Sequence, residues 1–148
     1  MRTDPIRAWR CWRYGTRTGH LESTIRSTLW LPCERLTAQC LCGTAGSIRC
    51  KHAPNEDCSC GIYAWLDRAD LHRLVRIEDE TVPVWGEVSL WGDIVQHERG
   101  VRAQYAYPYA LYMSAGYNQL AAKIRNDYCV DVTEVPLPTW SPLQENAP

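Results

Sequence analysis

Between residues 40 and 60 the chain reads CLCGTAGSIRCKHAPNEDCSC, which places three close pairs of soft ligands, Cys40 with Cys42, Cys50 with His52 and Cys58 with Cys60, within 21 residues. The stretch has few aliphatic side chains and no apolar periodicity, so it cannot be held by a core of its own. A metal ion can hold it. Zinc takes four tetrahedral ligands, mostly thiolates with some imidazole, and close ligand pairs followed by tight turns let the backbone wrap one ion. Gly43 and Gly61 directly follow two of the pairs and supply that turn freedom. The CxC spacing is tighter than the CxxC to CxxxxC of common zinc knuckles, and ferredoxin spacings are absent. Reduced cysteines acting as small hydrophobes, or a disulfide framework, account less well for clustering in a polar stretch.

Six candidates exceed four positions. The favoured set is Cys40, His52, Cys58 and Cys60, with Ala53-Pro54 a rigid turn that aims the His52 ring; Cys42 and Cys50 are the alternates. Four protein ligands leave no open position for water, which makes the zinc structural, whereas three would readmit hydrolytic or deaminase chemistry. The HxE of the zinc deaminases is missing, since Ala53 and Pro54 follow His52. Of the other cysteines, Cys11 and Cys129 lie in strand-like runs and are expected in the core, and Cys33, which follows Pro32, is expected to pack.

A chain of 148 residues is the size of one domain. The expected organisation is a single zinc-stabilised domain over 1–135 and a Pro-rich tail over 136–148. Ile6 to Tyr14 reads as a strand closed by Gly15. A first short helix opens at Asp67, with Asp70 at the capping-box position and an apolar face of Leu71, Leu74 and Val75. Strand formers from Val84 to Val101 flank a hairpin tip at Glu98-Arg99-Gly100, the glycine expected in the left-handed region; Trp91 and Val95 should then face Ala103 and Tyr105. Ser114 can cap a second helix in which Tyr117, Leu120, Ala121 and Ile124 share a face, and CVDVTEV reads as a last strand. This order predicts an α+β fold: a small antiparallel sheet, two short helices and a zinc-clamped loop region.

Charge divides the chain. Residues 1–51 hold nine basic against three acidic residues, net +6, and the remainder holds seven against fourteen, net −7. Halves of opposite sign attract within one fold, and the total of −1 argues against a nucleic-acid protein, which is usually basic overall. With seven Trp, eight Tyr and no Phe, every large ring carries a polar handle suited to half-buried, adhesive surfaces. Together with the closed ligand set and the absence of GxSxG, Walker, HExxH and Rossmann patterns, this points to a non-enzymatic, zinc-stabilised binding or regulatory module that engages another protein. An alternative is nucleic-acid binding through the Arg- and Trp-rich strand of Arg7, Trp9, Arg10, Trp12 and Arg13. A second alternative is an enzyme in which His97 and Glu98, with Arg99 and Arg102 beside them, lie near an open metal site. No apolar h-region follows Arg2 and no run reaches the ~20 residues of a membrane span, so a cytoplasmic protein with reduced thiols is expected.

Two segments, HAPNEDCSCGIYAW from His52 and GEVSLWGDIVQHERGVRAQYAYP from Gly86, with the RAWRCWR start at Arg7, resemble small Cys/His-containing proteins of high-GC actinobacteria and their phages. The shared strings are HAPxxxCxCGIYA and GxVxLWGxxxxHxxGxRAxxAYP. The resemblance implies that His52, Cys58 and Cys60 belong to one site and that the Trp91-Gly92 hairpin is part of the same unit. It carries over no reaction.

Overall fold

The computed structural model, which describes residues 4–24, 28–41, 50–73 and 81–136, orders the strands as β1 (Ile6–Gly15), β2 (His20–Ser23), β3 (Leu29–Trp30), β4 (Leu36–Thr37), β5 (Ile62–Trp65), β6 (Thr81–Gln96), β7 (Gly100–Ser114) and β8 (Asp131–Val135). One α-helix, α1 (Asn118–Tyr128), stands between β7 and β8. β6 and β7 form a long antiparallel hairpin and carry most of the architecture. β6 also pairs along its first half with β1, from Ile6 opposite Leu90 to Gly15 opposite Thr81. β5 pairs with β7 and meets β1 at Trp9 and Trp65, so β1, β6, β7 and β5 close a ring.

Bending one hairpin into a ring needs register shifts, and these fall at Glu87/Val88 and between Trp91 and Ile94. Glycine stands at each. A Cβ on Gly86 would lie 2.0 Å from the Ala110 carbonyl oxygen, and Gly92 has a φ of +79° that side chains rarely adopt. Trp91 faces Tyr105 as the alternation predicts, and Val95 faces Arg102. The hairpin tip differs from expectation. Its loop is His97 to Arg99, closed by the His97 N–H donating to Gly100 O, and Gly100 already belongs to β7. A side chain there would meet the Ala64 carbonyl oxygen at 2.7 Å, so Gly100 is needed for strand approach and not for a left-handed turn.

Inside the ring, Ala8, Trp12, Val88, Leu90, Val101 and Ala106 form the main core, to which α1 adds Ala121, Ile124 and Tyr128. On the opposite face of β1, Cys11 packs with Leu71 and Trp85, as a core cysteine should. β7 and β8 run parallel because α1 carries the chain across between them.

The α+β expectation is thus overturned. The described chain is mostly β, its sheet has eight strands and is mixed, and among the described residues there is one α-helix. The first expected helix is a six-residue 3₁₀ segment, Arg68–Arg73: Asp67 does cap, its Oδ1 accepting from Ala69 N, but Asp67 O accepts from Asp70 N in the tight i to i+3 pattern. Leu74 and Val75 lie outside the described residues. Of the second helix's expected face, Ala121 and Ile124 are buried and Leu120 partly so, but Tyr117 is exposed and is the N-cap, without a side-chain bond, and Ser114 ends β7. Of the expected tail, only Pro136 is among the described residues.

Candidate metal centre

Two segments converge on one end of β7. The first leaves β4, which pairs with Tyr105 and Ala106, and is held by Ala38 N donating to Gln104 O before it delivers a buried Cys40. The second runs from Cys50 to Cys60 and feeds β5 through Gly61, whose φ is +127° and whose missing side chain lets Pro54 and Arg102 close in. A turn in which Cys58 N donates to Asn55 O, and Asp57 N to Asn55 Oδ1, presents Cys58 and Cys60 to the same point.

The sulfurs of Cys40, Cys50, Cys58 and Cys60 all lie within 4.8 Å of one another. Cys40 and Cys58 are 3.8 Å apart. Four thiolates bound at about 2.3 Å around a tetrahedral ion are separated by about 3.8 Å, so this arrangement matches that geometry with little movement. Two sulfurs are buried and two half-buried, and Ala38 and Ala53 pack against them. Hydrogen bonding from Cys58, then burial and the Cys40 thiol, push the Cys50 thiol up to about 12. Thiolates are the ligating form, so binding a cation here releases the thiol protons.

The structure brings together three of the four favoured residues and one alternate, Cys50. His52 is not in the group: its exposed ring binds Asp93 through Nε2. Asp93 is the residue that the β6 bulge after Gly92 turns outward, a placement that depends on a register shift 41 positions away in sequence. Cys42 lies outside the described residues. Cys33 and Cys129, expected to pack, are both exposed.

Arg102 has a role that its sequence position does not show. It lies on β7 between β5 and β6, only 3% exposed, and its Nη1 donates to three carbonyls of the cysteine loop, Asn55 O at 3.1 Å and Cys58 O and Cys60 O at 2.6 Å each. Its Nε donates to His97 Nε2 at 2.9 Å. The guanidinium is therefore a clamp on the loop and a positive charge beside a site that four thiolates would make negative. His97 is an acceptor for that clamp, while Glu98 and Arg99 stand exposed at the tip and the Arg99 carbonyl accepts from Leu66 N.

The Arg- and Trp-rich strand is used by the fold. Trp12 is buried edge-on to Trp30, Trp9 stacks on Tyr112, and Arg13 pairs with Glu22 at 3.1 Å. Arg10 reaches Tyr63 O and Ser23 Oγ across the Trp30 ring, and burial lowers its guanidinium to about 10. Arg7 is exposed and lies 4.0 Å over the Tyr109 ring. No described helix is long and apolar enough to cross a membrane. Comparison with known protein families, with curated proteins and with solved structures finds no match.

Proposed function

We propose that the four cysteines bind one zinc ion as a structural clamp, and that the clamped β domain is a non-enzymatic binding or regulatory module whose partner is a protein. The observation that carries this is the convergence of four sulfurs within 4.8 Å of one another, from two separate segments of the chain. Thiolates are soft ligands that favour zinc over magnesium or calcium, and four of them complete a tetrahedral shell with no position for a reacting water. His97 supports the same reading, since its Nε2 is occupied by Arg102. Leu41 and Tyr63, close in sequence to Cys40 and Cys60, are exposed large apolar side chains that a protein partner could cover.

The test compares Cys60→Ser with Cys129→Ser, measuring zinc content and thermal unfolding together. Cys60→Ser should lose zinc and most of the native fold, because structural zinc contributes about 10–16 kcal/mol, comparable with the whole stability of a domain. Cys129→Ser should keep one equivalent of zinc and melt close to the wild type. Equal behaviour of the two variants, with zinc retained in both, would contradict the assignment.

A further inference from the structure

Outside the metal cluster, two cysteines share a conformation and a location. Cys33 and Cys129 are the only non-glycine residues with positive φ among the described residues, +59° and +55°. Cys33 precedes β4, and Cys129 caps the C-terminus of α1. They are held side by side: the Tyr107 hydroxyl accepts from Cys33 N and donates to Tyr128 O, both at 2.8 Å, tying the Cys33 backbone to the end of the helix. The thiols donate to successive carbonyls, Cys33 Sγ to Asp127 O at 3.6 Å and Cys129 Sγ to Asn126 O at 3.8 Å. Both thiols are exposed, and their acceptors are neighbouring carbonyls of the same helix end. No third ligand joins them among the described residues, where the only group of three or more metal-binding side chains is the four-cysteine cluster. Two thiols without a third ligand suit redox chemistry better than metal binding.

We infer that Cys33 and Cys129 are a redox-active dithiol, converted to an intramolecular disulfide by a small-molecule disulfide of the glutathione class. One protein thiolate attacks a sulfur of the oxidant, whose S–S bond breaks and releases one thiol after protonation. The second protein thiol gives up its proton and attacks the protein sulfur of the mixed disulfide, expelling the other half of the oxidant. Two protein thiols thus lose two electrons and two protons, and one disulfide becomes two thiols. The new bond joins positions 96 apart in sequence and encloses β4, β5 and the cysteine cluster in one covalent loop. Selectivity follows from placement: Cys11 is buried, Cys33 and Cys129 are exposed, and the cluster sulfurs are covered when metal is bound.

The experiment incubates the full-length, zinc-loaded protein with oxidised glutathione and reads three quantities: cross-linked peptides by mass spectrometry, zinc content, and melting temperature. The expected result is loss of two thiols, a peptide linking Cys33 to Cys129, zinc retained, and a melting temperature raised by about 10 °C, the size set by closing a loop of about 100 residues. Dithiothreitol should reverse the shift. Cys33→Ser and Cys129→Ser should each take up one glutathione and show no rise. Separate glutathione adducts on both cysteines of the wild type, dimers, links to a cluster cysteine, or no reaction would each overturn the inference.

Discussion

Replacing Arg102 by Met keeps the length and apolar stem of the side chain and removes the clamp on the cysteine loop. The Nη1 nitrogen carries two hydrogens, so of its three carbonyl contacts the two at 2.6 Å, to Cys58 and Cys60, count as full bonds. A hydrogen bond from a charged group contributes about 1.5–3 kcal/mol net, so the pair contributes about 3–6 kcal/mol. Asn55 is exposed and its carbonyl can turn to water, so no further loss is assigned there. Against a total of about 5–15 kcal/mol, Arg102→Met should remove a large fraction of the stability even with zinc saturating. Arg102→Lys should recover about half, as a single ammonium reaches one carbonyl with full geometry. Urea unfolding followed by tryptophan fluorescence, at fixed excess zinc, measures the difference. A loss below about 1 kcal/mol for Arg102→Met, with zinc affinity unchanged, would refute the clamp.

Tyr128→Phe should cost about 2–4 kcal/mol, because the phenol accepts from Leu21 N and donates to Trp30 O, and both backbone groups are buried. Burial pushes that phenol up to about 12, so its contribution is complete below about pH 10 and is lost as pH rises from 10 to 12; alkaline unfolding curves should show a steeper loss in this window for wild type than for the Phe variant. Gly86→Ala should destabilise by about 2–4 kcal/mol or abolish folding, because its Cβ would lie 2.0 Å from the Ala110 carbonyl oxygen, and circular dichroism melts would detect it.

What the sequence made legible follows from how local each signal is. The hairpin around His97 and the Ala121 and Ile124 face of α1 are short-range patterns and both are present, and of the close ligand pairs Cys58 with Cys60 contributes both members to the cluster. Fold class is not legible because β2, β3 and β4 have only two to four residues each and no alternation long enough to read. The Arg and Trp run reads either as a strand with Arg stems over aromatic rings or as a nucleic-acid-binding strand; Trp12 is buried in the main core and Arg10 lies over the Trp30 ring, a placement that depends on β2 and β3 being in register. The Pro54 turn beside His52 points to His52 over Cys50 as a ligand, whereas a residue at the β6 bulge, Asp93, takes its ring. Arg102 as a clamp needs three strands in register before its partners exist. Cys33 and Cys129 leave no local trace of their left-handed conformation or of each other.

X-ray absorption at the zinc edge of the purified full-length protein tests the four-sulfur metal site most directly. The predicted result is one zinc per chain with four sulfur scatterers at about 2.3 Å and no nitrogen or oxygen in the shell. A shell containing imidazole nitrogen or water oxygen would contradict the all-cysteine site, and less than half an equivalent of zinc with free thiols would contradict the metal centre itself.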